Sequence, residues 1–282
     1  MRLILLTCLT MIAFAANSVL NRMAVDSGAI DPSSFAMVRM FAGAVALCMI
    51  LTVRGGGLPI LAKGRMIGAL SLAAYMIGFS LAYATLDAGL GALILFGTVQ
   101  VSMFGWSALR GTHPTARQFL GAGVAFVGLL LALWPREGTG ADVPGAVLMV
   151  IAGLGWAAYT LAGKNARDPL AATAANFVVA TPLLAVLLLG GALHAAPSGI
   201  ALAILSGAVT SGLGYALWYY ILPQLLGQTA AVVQLSVPII AIVAGALVLG
   251  EAITGVIVVS AILVLGGIAL AVMSPKPQAD RS

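Results

Sequence analysis

Ten side chains able to hydrogen-bond or stack fall inside long apolar runs of the chain, where a polar atom needs a reason to be: Asn17, Tyr75, Tyr83, Gln100, Trp156, Tyr159, Ser211, Tyr215, Gln234 and Ser236. Spacings of three and four residues put Phe14, Asn17 and Asn21 on one helical face. The same holds for Tyr75, Phe79 and Tyr83, for Phe96, Gln100 and Met103, for Trp156 and Tyr159, and for Ser211, Tyr215 and Trp218. Faces that combine rings with amides and hydroxyls suit the binding of a small molecule with apolar and polar ends. The bland alternative is that rings near helix ends form interfacial belts while Ser, Asn and Gln bridge helices. Depth favours the belt for Trp218, Tyr219 and Tyr220, and the cavity for Asn17, Gln100, Tyr159 and Gln234. Bond-making chemistry has no visible carrier. There is no GxSxG and no phosphate-cradling loop, Cys8 and Cys48 sit singly in apolar runs, and His113 and His194 stand alone in loops. No metal and no cofactor are expected, and an enzyme is disfavoured.

The elements that must position these faces are set by composition. Of 282 residues 62% are hydrophobic and only 7% charged, where soluble domains carry about a quarter, so the chain reads as an all-α polytopic membrane protein. Apolar windows place ten spans near residues 3–22, 33–53, 66–85, 89–109, 116–134, 145–163, 170–190, 199–221, 228–248 and 255–273. With the N-terminus inside, ten basic residues face the cytoplasm and only Arg22 and Arg136 face out, Arg39 lying within a span; both termini are therefore expected to be cytoplasmic. The net charge of +5 follows from this loop bias rather than from a nucleic-acid partner. The second half repeats the first. A shift of 139 lays Gly111, Thr115, Gly128 and Leu131 on Gly250, Thr254, Gly267 and Leu270, and one of 137 lays Asp31-Pro32 on Asp168-Pro169 and Arg39 on Asn176. Five spans per repeat is an odd number, so the two copies enter the bilayer from opposite sides as an inverted repeat. The expected units are residues 1–137 and 144–275, followed by a short tail at 276–282.

The ten-span layout, Phe14 to Arg22 and Trp156 to Lys164 opening each half, the mid-helix Arg39, the Ala230-rich start of the ninth span, Pro238 and Gly250-Glu251-x-x-Thr254 together resemble the EamA branch of the drug/metabolite transporter superfamily. The resemblance covers nearly the whole chain and is nearest to exporters of amino acids and related metabolites. It implies a bacterial inner-membrane carrier, a monomer or weak homodimer, with a central cavity lined by the first, third and fourth helices of each half. The pattern departs at Val99 and Thr112, where family members often carry Pro and Glu. Substrate contacts are expected from Asn17, Tyr75, Phe79, Tyr83, Gln100, Trp156, Tyr159, Tyr215 and Gln234. Gly89, Gly91 and Pro238 are read either as hinges for two rocking four-helix clusters or as static kinks. Arg39 either snorkels to the headgroups or serves a structural partner, because the resemblance puts its helix outside the cavity. Glu251 is read as a cap of the tenth helix. All eight acids lie in loops, turns or the tail, which favours facilitated export of a neutral or zwitterionic metabolite over proton antiport. Multidrug or cation efflux is the alternative, with a membrane-embedded enzyme or a channel behind it.

Overall fold

The computed structural model describes residues 1–109, 115–133, 142–163, 166–189, 193–225 and 233–272; Gly111, Thr112, His113, Arg136, Glu137, Lys164, Ala230 and the tail at 276–282 lie outside them. Among the described residues ten helices follow one another: α1 (Arg2–Asp26), α2 (Pro32–Val53), α3 (Arg65–Ala82), α4 (Ala88–Leu109), α5 (Ala116–Leu133), α6 (Val143–Gly163), α7 (Pro169–Leu189), α8 (Pro197–Gln224), α9 (Ser236–Leu249) and α10 (Gly255–Val272). Eight are long and apolar enough to cross a membrane, and α5 and α9 are the two shorter apolar helices. Each overlaps one of the ten apolar windows; the first residues of the ninth window, 228–232, lie outside the described residues, and α9 starts at Ser236. The protein is an all-α membrane protein of two inverted five-helix repeats.

Chemistry at the helix starts repeats between the halves. Asp31 accepts from the N–H groups of Ser33 and Ser34 ahead of α2, Asp168 accepts from that of Ala171 ahead of α7, and each is followed by Pro at a position that needs no N–H partner. Small residues then set the helix contacts, since lipid gives apolar surfaces no reason of their own to associate. A Cβ at Gly267 would stand 2.5 Å from Ala125 N, and one at Gly128 would stand 2.8 Å from Val264 N. Moving each residue by 139 positions exchanges these two contacts, so α5 and α10 pack about the axis that relates the halves. Gly68 likewise meets the Asn176 side chain on α7, and its counterpart Gly207 meets the Arg39 backbone on α2.

The helices sort into two groups of four that do not follow the sequence halves. α3 packs on α6 and α7 while α4 packs on α6; α8 packs on α1 and α2 while α9 packs on α1. Each group thus takes two helices from each repeat, and the groups meet along α2 with α7 and α4 with α9. The α5 and α10 pair stands to one side, joined mainly through α4.

The kink candidates have identifiable causes. Pro238 lies in the first turn of α9: the helical stretch at 233–234 stops at Leu235, and the helix starts afresh at Ser236. A proline clashes with the carbonyl four residues back, here that of Gln234, which accounts for the break. Gly89 and Gly91 are contact points. A Cβ on Gly89 would lie 2.6 Å from Ile242 of α9, and Gly91 abuts the Tyr83 ring. Between Leu205 and Leu213, α8 widens into π-helical turns.

Candidate functional site

Where the two groups meet, the rings expected to line a cavity pack on one another. Trp156 stands 4.9 Å from Tyr75, 5.0 Å from Tyr215 and 5.5 Å from Tyr159, centroid to centroid. Phe14 points its edge at Trp156, Tyr215 and Trp218, and Phe79 bridges Tyr75 and Tyr83 at 5.3 and 4.8 Å. All of these side chains are buried. Offset and edge-on pairs of this kind add about 0.5–1.5 kcal/mol each beyond their area. The cluster also takes in Phe177, which sequence reasoning missed, and Trp218, which it assigned to an interfacial belt; Trp218 is instead buried against Phe14, three residues from Tyr215 on the same helical face.

Beside the rings lies a polar cluster. Asn17 Oδ1 accepts hydrogen bonds from Ser206 at 2.9 Å, from Ser211 at 3.2 Å and from Thr210, while Asn17 Nδ2 donates to the Thr210 carbonyl at 3.3 Å. One turn further along α1, Asn21 Nδ2 donates to Ser80 Oγ at 3.1 Å. The π-helical turns explain how three hydroxyls from one short segment reach a single amide. Their signal in the sequence is the pair Ser206 and Thr210, four apart, next to Ser211. Tyr159 donates to Thr173 Oγ1 at 3.2 Å, which fixes its ring against α7.

Arg39 does not snorkel. It is wholly buried, its Nε donates to Ser211 Oγ and its Nη2 to the Tyr75 hydroxyl, both at 3.1 Å, and its guanidinium lies 4.6 Å over the Phe79 ring. Its helix carries it to the site because Gly43 and Gly207 let α2 and α8 approach closely. Gln100 is half-buried on α4 and takes part in none of these contacts, so the structure does not bring it to the cluster; Gln234 is half-buried just ahead of α9. Ser236 donates to the Val233 carbonyl and serves the local turn.

Glu251 caps a different helix from the one expected. Its carboxylate accepts from the N–H groups of Ala88 at 2.7 Å and Gly89 at 3.4 Å, at the start of α4, whereas α10 is capped by Thr254. The turn after Gly250, held at a φ of 71°, swings the side chain away from its own helix. Burial, with Asp87 alongside, pushes this carboxyl above its ordinary value against the pull of the two N–H groups and Arg22. Arg22 completes the end of the bundle, pairing with Asp26 at 3.0 Å, with Asp87 at 3.7 Å and with Glu251 at 3.9 Å, and donating to the carbonyls of Tyr83 and Ala84. It ties α1 and the α9–α10 turn to the α3–α4 turn, which is to say one four-helix group to the other.

The arrangement brings together buried rings, amides and one guanidinium, with no cluster of His, Cys or carboxylates able to hold a metal among the described residues. The chain is 46% identical over 281 residues to an uncharacterized protein of Pseudomonas aeruginosa, covering 98% of this chain and 96% of that one. A crystal structure at 19% identity superposes with a TM-score of 0.67 over 94% of this chain and 96% of the other, a likeness of fold alone. The model of the EamA-like transporter family matches twice, over residues 1–134 and 143–273, and with the helices so placed the chain belongs to that family of membrane transporters.

Proposed function

We propose that the protein exports small metabolites, namely neutral or zwitterionic amino acids including aromatic ones and related compounds, by alternating access through a central cavity. The observation that carries this reading is the meeting, inside the bilayer-spanning part, of ring and amide faces from both four-helix groups: Phe14, Asn17 and Tyr215 from one, Tyr75, Phe79, Tyr83, Trp156 and Tyr159 from the other. Parting the groups would separate these faces and open a pocket with stacking surfaces for an apolar body and hydrogen-bonding groups for polar ends. Gly89, Gly91 and Pro238 are the positions at which the helices would bend or slide. The basic loop residues support cytoplasmic termini, and in a bacterial inner membrane, the setting the family resemblance implies, the Arg22 and Glu251 end would be periplasmic. Flux is facilitated, because every described acid lies at a helix end or in a turn and none lies in the interior of a span to exchange a proton with substrate.

The test is saturable flux of amino acids into vesicles reconstituted with the purified protein, run with and without a proton gradient. Flux that is unchanged when the gradient is collapsed supports the proposal. Proton movement driven by substrate contradicts the mechanism, and absence of flux across the whole panel contradicts the substrate class.

A further inference from the structure

Arg39 carries a buried positive charge with no acid beside it among the described residues. Its two hydrogen-bond partners, Ser211 and Tyr75, are neutral, and Nη1 has no partner. The six acids among the described residues, Asp26, Asp31, Asp87, Asp142, Asp168 and Glu251, lie at helix ends or in turns. Asp31, on the same helix, is eight positions away, about 12 Å along the axis, and is already engaged by the N–H groups of Ser33, Ser34 and His194. An arginine cannot shed its proton, so the charge persists, and an isolated buried charge is costly unless a counter-charge arrives. Packing alone does not require it: at the equivalent place in the other half stands the neutral Asn176, held by Arg65 from the start of α3.

A second donor points the same way. The Tyr215 hydroxyl is buried and makes no well-formed hydrogen bond; it faces the Tyr75 hydroxyl that also receives Arg39 Nη2, and Tyr215 lies one turn along α8 from Ser211, the residue that holds Arg39 Nε. Trp156 lies against both Tyr75 and Tyr215, so the two groups sit around the same rings.

We infer that Arg39 and Tyr215 form a subsite for a carboxylate, so that a monocarboxylate with an apolar or aromatic body is the substrate class; this rests on the transport reading above. The planar guanidinium fork matches a carboxylate, and one fixed positive charge is balanced by one negative charge, whereas a phosphate dianion would leave a net charge in the same medium. Arg39 belongs to one four-helix group and Tyr75 to the other. Parting the groups therefore breaks their hydrogen bond and frees Nη2 beside Nη1, which presents both prongs of the fork when the cavity opens.

The experiment measures melting of the detergent-purified protein with four probes of one shape: phenylalanine, 3-phenylpropanoate, phenylethylamine and phenylalanine amide. The two carboxylates are expected to raise the melting temperature and the two amines are not. In R39Q the carboxylates bind roughly tenfold to a hundredfold more weakly, and in Y215F, which keeps the ring contacts and so guards against a folding defect, several-fold more weakly. Equal protection by amines and acids, equal protection of wild type and both variants, or no protection by either carboxylate overturns the subsite. In reconstituted vesicles, carboxylate protection without flux of any probe defeats the transport reading alone, and flux that treats phenylalanine and its amide alike defeats the subsite alone.

Discussion

Asn17 gathers three hydroxyls on one oxygen, so its loss is felt on α8 as well as on α1. In N17A the hydroxyls of Ser206 and Ser211 lose their acceptor in a dry environment, while that of Thr210 keeps the Ser206 carbonyl, and a buried donor left unpaired costs about 1–3 kcal/mol. N17A is expected to lower stability by about that amount in a denaturant titration in detergent, and to reduce flux. Q100A is the counter-case: Gln100 lies outside the network, and its removal is expected to change stability by less than about 0.5 kcal/mol. Finding the reverse order would show that the polar centre lies elsewhere. The contrast also marks what could be read from the letters. Asn17 and Gln100 looked alike, each an amide deep in an apolar run on a face with a ring, because periodicity gives the face and says nothing of what it meets. The difference comes from Ser206, Thr210 and Ser211, which are nearly two hundred positions from Asn17 and whose spacing does not say which helix they meet. For Arg39 the letters leave snorkelling and a structural partner side by side for the same reason, since Ser211 and Tyr75 are its neighbours only in space.

At the scale of helices, starts and turns were the most legible parts and their tertiary partners the least. Asp31-Pro32 announces a helix start and makes one, whereas Glu251, equally well placed to cap α10, reaches across to α4. The two carboxyls respond oppositely to pH. For Glu251 the folded value lies above the ordinary 4.5, so between the two the folded protein holds more protons than the unfolded chain and stability falls as pH climbs through that interval. The E251Q variant should lose this slope when unfolding free energy is followed by denaturant titration upward from about pH 4.5; a slope that persists would place its origin elsewhere. For Asp31, burial raises the value, but hydrogen bonds from Ser34, His194 and Ser33 outweigh it and hold the carboxyl below the ordinary 3.8. Its contribution is complete above that value and is lost as pH falls through the lowered one. D31N is therefore expected to flatten the acid side of the same titration and leave the Glu251 interval unchanged.

For the whole molecule, ten helices and the repeat were readable because burial in lipid demands length and apolarity from every span, but the regrouping into α1, α2, α8, α9 and α3, α4, α6, α7 was not, since it depends on which glycines meet which backbones. That regrouping makes alternating access testable. Opening at the end bearing Arg22 and Glu251 must separate Ala88 on α4 from Gly245 on α9, where a Cβ on the glycine would lie 3.6 Å from that of Ala88 and would meet the movable end of the Glu251 side chain first. This separation suits a disulfide, whose Cβ atoms stand about 3.5–4.5 Å apart. At the same end, Ile30 and Ala195 form an antiparallel bridge ahead of α2 and α8, with Cα atoms expected about 4.5–5.5 Å apart, but these helices belong to one group. In a background with Cys8 and Cys48 replaced, oxidised A88C/G245C should stop flux and recover it on reduction, while oxidised I30C/A195C should transport in either state. Unimpaired flux through the oxidised first pair would mean that the groups do not part at this end. Loss of flux in the second pair alone would place the moving boundary between α2 and α8, and the division into these groups would have to be redrawn.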